Sequence, residues 1–598
     1  MNEKFMNKKL VASTIAIALG SITLTACQSP AVETAAPIAK INAEQQAKVF
    51  SAQFIDSLWK LSPTWALYSG YTKYAGELVI PNDASRKQSL DFVNTQRKML
   101  DAIDTKSVSP SMRIDLALIA NTLDSIEWDI TTFKSWQWQP TQYNVAGGFA
   151  QIINGSYAPL DERLDSVLER LTSVPQYYAA ARANIDNPTL EHTKLAIMQN
   201  KGALGIFSDD LIEKANNSSM TDDEKALFAA RTLEARQAVM SHIDWLENLK
   251  TDLEKNGARS FRIGSELYEQ KFALDIQSDL SAKQLYNKAL ADKQTVLGEM
   301  AKIADKLWPK YFANTAKPNN KQAMISQLIE KLSVKHVKRE NFVEEIRQQI
   351  PALEAFVMEK NLITLDKEKP LVVRETPEYM RGFAGASISA PGPYDKKANT
   401  YYNVTPLDNM TDEQAESYLR EYNHWVLQVL NIHEAVPGHY TQLVYSNMAP
   451  SLVKSLFGNG AMIEGWAVYT ERMMLEEGYG DFEPELWLMY YKWNLRVITN
   501  TILDYEIHNK GINKEQGLSL MMDGAFQQRA EAEGKWHRAT VSQVQLTSYY
   551  SGYRDIYDFR DEYKQMKGDG YNVKAFHDKF LSYGSAPVKF VRELMMEK

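Results

Sequence analysis

His433 and His439 stand six residues apart, with Glu434 beside the first and Pro437-Gly438 just before the second. An unbroken helix cannot carry that spacing if the two imidazoles are to act together. Residues six apart on an α-helix point about 120° away from each other, whereas residues four apart share a face. Proline removes a helical hydrogen bond, and glycine tolerates backbone angles that other residues resist. The stretch Asn431–Tyr440 therefore predicts a helix interrupted by a two-residue bulge at Pro437-Gly438, which returns both histidines to one side. Two imidazoles with a carboxylate next to the first form the pattern of a zinc hydrolase, in which N and O ligands hold the ion and the neighbouring Glu handles the proton. The third ligand is expected at Glu464, at the head of an apolar helix, Gly465–Met474. Glu471, seven residues on and on nearly the same face, would orient a metal-ligating histidine. The exchanged assignment of Glu464 and Glu471 is the competing one. Gly465 favours Glu464 because it permits close backbone approach.

The chain opens with Lys4, Lys8 and Lys9, an apolar run Leu10–Thr23, and Leu24-Thr25-Ala26-Cys27. This order resembles a bacterial lipoprotein signal, with cleavage after residue 26 and lipid on Cys27. Gln28 in place of Asp favours the outer membrane, with the body facing the periplasm or the exterior. Residues 27–42, rich in Ala, Pro, Glu and Thr, read as a flexible tether. Cys27 is the single cysteine, so the mature chain has no intramolecular disulfide. A net charge of −8 without a basic stripe argues against a nucleic-acid partner.

From Ala43 the apolar period is helical: Val49, Phe50, Phe54, Leu58 and Trp59 recur at three- and four-residue steps. Further helices are expected over 84–102, 112–127, 159–171, 221–253, 281–307, 321–333, 334–360 and 411–429. Strand signals are confined to Leu371–Arg374, Gly382–Ser389 and Asn399–Val404, around a turn at Pro391–Pro393. The division that follows is a mostly helical lobe over 43–370 and a catalytic lobe over 371–598. The strand near Ala386 and Ser387 would border the cleft and could pair with an extended peptide.

His433-Glu434, Pro437-Gly438-His439 and Glu464-Gly465-Trp466-Ala467 with Tyr469 resemble the H-E-x-x-P-G-H and E-G-W-A-x-Y motifs of the bacterial proteins grouped as domain of unknown function 885. That group is similar to the gluzincin-like peptidases, among them oligopeptidases and thermostable carboxypeptidases. The resemblance implies a mainly α, two-lobed helical fold with a short β-sheet bordering a deep active-site cleft. It also implies a peptidase with one zinc ion on His433, His439 and Glu464, in which Glu434 takes the proton of the attacking water. The family's similar Asp…His helix would bring Asp504 and His508 near the site, Asp504 supporting a ligand and His508 donating to substrate. Its Q-x-x-S-Y-x-x-G segment matches Gln545–Gly552 and makes Tyr549 the oxyanion donor, with Tyr550 as the fallback and Arg538 as a substrate contact. Gln543-Val544 and Ala539 depart from the family's usual residues, which bears on specificity more than on catalysis. The substrate implied is a short peptide in the cell envelope. Two other readings share these residues: a non-catalytic peptide-binding or structural envelope lipoprotein, and a zinc amidase acting on a non-peptide amide. A structural zinc fills all four positions with protein ligands, and only three stand out here, which favours an open site.

Overall fold

Side-chain caps set where many of the helices begin. Asn82, Thr221, Ser281, Thr411 and Asn513 each accept from the backbone N–H three residues on, and that residue's side chain accepts in return from the cap's own N–H. The structure is a computed structural model and describes residues 42–377, 385–395 and 399–597. The expected signal sequence and Cys27 lie outside the described residues, as do residues 382–384 of the expected Gly382–Ser389 strand.

The elements that position the site run in chain order: α1 (Pro110–Trp128), α2 (Ala282–Tyr311), α3 (Phe342–Glu359), β1 (Leu371–Glu375), β2 (Ala386–Ser389), β3 (Thr400–Val404), α4 (His424–Glu434), α5 (His439–Asn447), α6 (Gly460–Glu476), α7 (Pro484–Tyr505), α8 (Arg529–Ser542) and α9 (Ser548–Lys567). The fold is mainly helical with one small mixed sheet, as expected. Helices α6 and α9 pack side by side, α2 lies along α7, and α4 lies against both α6 and α7. The principal core draws on residues from Ala47 to Met595, on both sides of residue 370. A separate buried cluster between Leu67 and Ile243 gathers around Phe149, Tyr178 and Phe207. Among the described residues no helix is long and apolar enough to cross a membrane.

The sheet order is β1-β3-β2, with β1 parallel and β2 antiparallel to β3. Central β3 buries Tyr402 and Val404. The Tyr402 hydroxyl donates to Asn431 Oδ1 at 2.9 Å, two residues before His433, and Asn431 Nδ2 donates to Gln349 on α3 at 2.7 Å. The sheet is thereby fixed to α4. Among the described residues β2 is an edge strand, and it lies against α4.

Two expected helices are shorter than the apolar period suggests. The one over 411–429 is two, because Asn423 restarts the helix by accepting from the N–H groups of Trp425 and Val426. In the one over 334–360, Arg339 leaves the helical path to donate to the carbonyls of Leu407, Asp408 and Met410, and regular helix begins only at Phe342.

The entry to α6 is tied to α1 through a buried ion pair. Lys454 bonds the Asp115 carboxylate and the Ser111 carbonyl, and Ser451 donates to Asp115 at 2.9 Å. Burial pushes the Asp115 carboxyl up, against the opposing pull of Lys454. Asp115→Ala would leave a fully buried ammonium without its counter-charge, and we expect a loss of about 3–5 kcal/mol in urea unfolding.

Candidate metal centre

Helix α4 stops at Glu434 and α5 starts at His439, so the interruption is a four-residue break, Ala435–Gly438, between two helices. This is larger than the two-residue bulge expected, because Gly438 caps a new helix instead of rejoining the old one. Its N–H donates back to the Ile432 carbonyl at 3.0 Å. A Cβ on Gly438 would lie 1.9 Å from the His433 carbonyl oxygen, so only glycine permits this approach. The Val436–Pro437 peptide is cis. The Trp466 indole N–H donates to the Pro437 carbonyl at 2.8 Å, which ties the break to α6.

The break turns both imidazoles toward Glu464. Their ring centroids are 4.7 Å apart and nearly perpendicular. Glu464 Oε2 lies 3.4 Å from His439 Nε2 and 3.8 Å from His433 Nε2. On the far side of its ring, His433 Nδ1 meets Glu471 Oε1 at 2.7 Å, and the Trp493 indole donates to the same oxygen at 3.0 Å. Glu464 and Glu471 are thereby separated by geometry, Glu464 facing Nε2 of both rings and Glu471 holding Nδ1 of one. Gly465 does bring backbones together, but to a different end than expected: its neighbour is Gly552 of α9, and a Cβ there would lie 2.2 Å from the Gly552 carbonyl carbon. The approach locks α6 to α9 and so fixes Glu464 indirectly.

Among the described residues, His433, His439 and Glu464 are the set whose ligand atoms lie within 4.8 Å of one another. Four tetrahedral ligands at about 2.1 Å from a zinc ion sit about 3.4 Å apart, which the two measured separations approach. The donor chemistry also fits. Burial, reinforced by His439, holds the His433 imidazole down at about 3, so it is neutral and offers a lone pair. Glu464 stays below the usual carboxylate range although burial opposes this, because His439 bonds it and both imidazoles face it. The Glu464 carboxylate likewise raises His439 against the effect of burial. Glu434 is pushed up to about 7, chiefly by burial, with Glu464 adding to the effect and His439 opposing it.

Tyr549 and Arg538 border this group. Arg538 Nη2 donates to the Tyr549 hydroxyl at 3.1 Å and to Gln545 Oε1 at 2.6 Å. Burial and the Glu464 carboxylate raise the Tyr549 phenol to about 12, so it is a neutral donor. Tyr550 points elsewhere and donates to Asp292 at 2.7 Å, which removes it as the alternative donor and as a substrate contact. Asp504 and His508 do not join the group. Tyr268 donates to Asp504 at 2.6 Å, and His508 stacks on Tyr268 and faces the Ile263 N–H. Both side chains are fully buried, and none of these partners is a residue of the triad. His508 sits in a wider π turn, Glu506–Lys510, that follows the end of α7 at Tyr505, and its Nε2 lies 3.9 Å from Asp504 Oδ1. Ala386 and Ser387 pair with Val404 and Asn403 on the inner side of β2. Trp493 went unnoticed in the sequence. Its place on α7 opposite Glu471 arises from helix packing, and no local pattern announces it.

Similarity to known proteins follows the same outline. No curated protein matches the chain. A solved structure from Shewanella oneidensis, described as a "putative lipoprotein of unknown function", is 67% identical, covers 92% of this chain and 100% of its own, and superposes with a TM-score of 0.84. Another, described as the "putative lipoprotein from Colwellia psychrerythraea", is 18% identical with a TM-score of 0.75, over 92% of this chain and 98% of its own, and shares the fold. The model of the family described as "Bacterial protein of unknown function (DUF885)" matches residues 63–595, nearly the whole described body, and the chain belongs to that family.

Proposed function

We propose that this chain is a zinc-dependent peptidase of gluzincin-like design, acting on short peptides in the cell envelope. The observation that carries the reading is the convergence of His433, His439 and Glu464 with Glu434 beside the first ligand. His433, His439 and Glu464 would hold one zinc ion, with Glu471 fixing the His433 ring through Nδ1. When bound, the ion supplies Lewis acidity at the scissile carbonyl and lowers the proton affinity of water. Glu434, with its carboxyl near neutrality, accepts a proton from the attacking water and passes it to the leaving amine. The Tyr549 O–H donates to the developing oxyanion, and Arg538 holds the phenol in place. The edge of β2, against the helix that bears His433, suits an extended peptide backbone.

Attachment to the envelope through lipid on Cys27 is supported by the signal-like Leu24–Cys27 run. The lipoprotein description of the 67% identical Shewanella structure supports it too. Gln28 after the cysteine favours the outer membrane as the place of attachment. The test is metal analysis of the mature protein followed by a mass-spectrometric peptide-library digest, with and without a chelator. We expect about one zinc per chain and cleavage that the chelator abolishes. Bound zinc without cleavage of any peptide would overturn the peptidase reading.

A further inference from the structure

Next to the triad, α7 and α8 bring together more positive charge than they neutralise. Glu531, Lys535 and Arg538 follow one another on one face of α8, and Arg496 meets them from α7. Glu531 Oε1 is the shared counter-charge, 2.7 Å from Arg496 Nη2 and 3.7 Å from Lys535 Nζ. The neighbouring Lys492 is already matched by Glu421 at 2.6 Å. Arg538 bonds neutral partners, Gln545 and Tyr549. Arg496 and Lys535 thus share the Glu531 carboxylate, and Arg538 has no ion-pair partner among the described residues.

Two of these groups are largely withdrawn from solvent, Lys535 buried and Arg496 with its side chain 19% exposed. Lys535 is 5% exposed, and Glu531 at 3.7 Å is its ion-pair partner among the described residues. Arg496 Nη1 is buried with no hydrogen-bond partner among the described residues. A buried cation without full pairing is costly, and an arriving anion removes that cost. Burial first, and then Arg496 and Arg538, push the Lys535 ammonium well down, which an anion would reverse.

The cluster also touches the site at both ends. The Arg496 guanidinium lies 4.7 Å over the Trp493 ring, whose N–H bonds the Glu471 that holds His433. Arg538 is exposed and bonds Tyr549.

We infer that Arg496, Lys535 and Arg538 form a carboxylate-recognition subsite that takes the C-terminal carboxylate of a short peptide, so that the chain trims peptides from their free C-termini. Guanidinium groups grip carboxylates through paired N–H donors, and Lys535 supplies a point charge behind them. This inference rests on the peptidase reading and adds to it a polarity of action.

The test compares N-acetyl-trialanine as the free acid and as the C-terminal amide, by calorimetry on the mature protein and on Lys535→Met and Arg538→Gln. Arg538 is exposed, so its variant keeps the test valid if Lys535→Met fails to fold. The acid is expected to bind about 10- to 100-fold tighter than the amide, with the difference lost in each folded variant. Equal binding of acid and amide, or binding of neither, overturns the subsite. Digestion of matched acid and amide peptides separates the two readings. Equal cleavage of both sinks the subsite and leaves the peptidase standing. Selective binding of the acid without cleavage sinks the peptidase and leaves the subsite standing.

Discussion

Glu434→Gln is expected to retain its zinc and to lose peptide hydrolysis by about 10²–10⁴-fold, the usual contribution of a general base. The substitution preserves shape and removes the only property the role requires, a carboxylate able to take a proton. His433, His439 and Glu464 remain facing one another, so metal content by elemental analysis should match the parent chain. His433→Ala, by contrast, should lose both zinc and activity. Full activity in Glu434→Gln would reassign the base.

The largest structural effect is expected at a residue outside the triad. Gly552 of α9 packs so closely on α6 that a Cβ there would lie 1.6 Å from the Ala461 carbonyl oxygen and 2.9 Å from Gly465 Cα. The obstacle is backbone on both sides, which no rotamer change can relieve. Gly552→Val must force the two helices apart, and we expect a loss of about 3 kcal/mol or more, at the upper end of overpacking costs. Since Glu464 rides on α6, zinc affinity should fall with stability. Gly202→Ala is the control: its Cβ would meet nothing within 4 Å, and a helical alanine should be neutral or stabilising by up to about 1 kcal/mol. Urea midpoints and zinc titration of both variants check the pair.

The triad was legible in the sequence because six-residue spacing with Pro-Gly leaves few ways to join two histidines, and because Glu464 stands beside a recognisable apolar run, although the helix that carries it begins earlier, at Gly460. Helix identity was legible for the same reason, from apolar period alone. What the sequence concealed depends on long-range contact. Family resemblance alone favours Tyr549 and keeps Tyr550 as the fallback, and only long-range packing sets one beside Arg538 and the other beside Asp292. The parallel pairing of β1 with β3 places the last strand in the middle of the sheet, an order that strand propensity does not encode. Arg496 and Asp504 lie on the same helix, and what separates them is the partner each meets: Arg496 pairs with Glu531 of α8, while Asp504 and His508 lie with Tyr268.

The Gly465–Gly552 contact has a further consequence for how such a site can diversify. Glu464 precedes one glycine by a single residue, and Tyr549 precedes the other by three. The carboxylate and the phenol are therefore carried on two rods soldered at their backbones, with no side chain between them to act as a spacer. Their mutual distance is a constant of the scaffold. Relatives that handle bulkier or slimmer substrates would have to widen or narrow the space from the β2 side or from α8, because the gauge between Glu464 and Tyr549 cannot be reset one residue at a time.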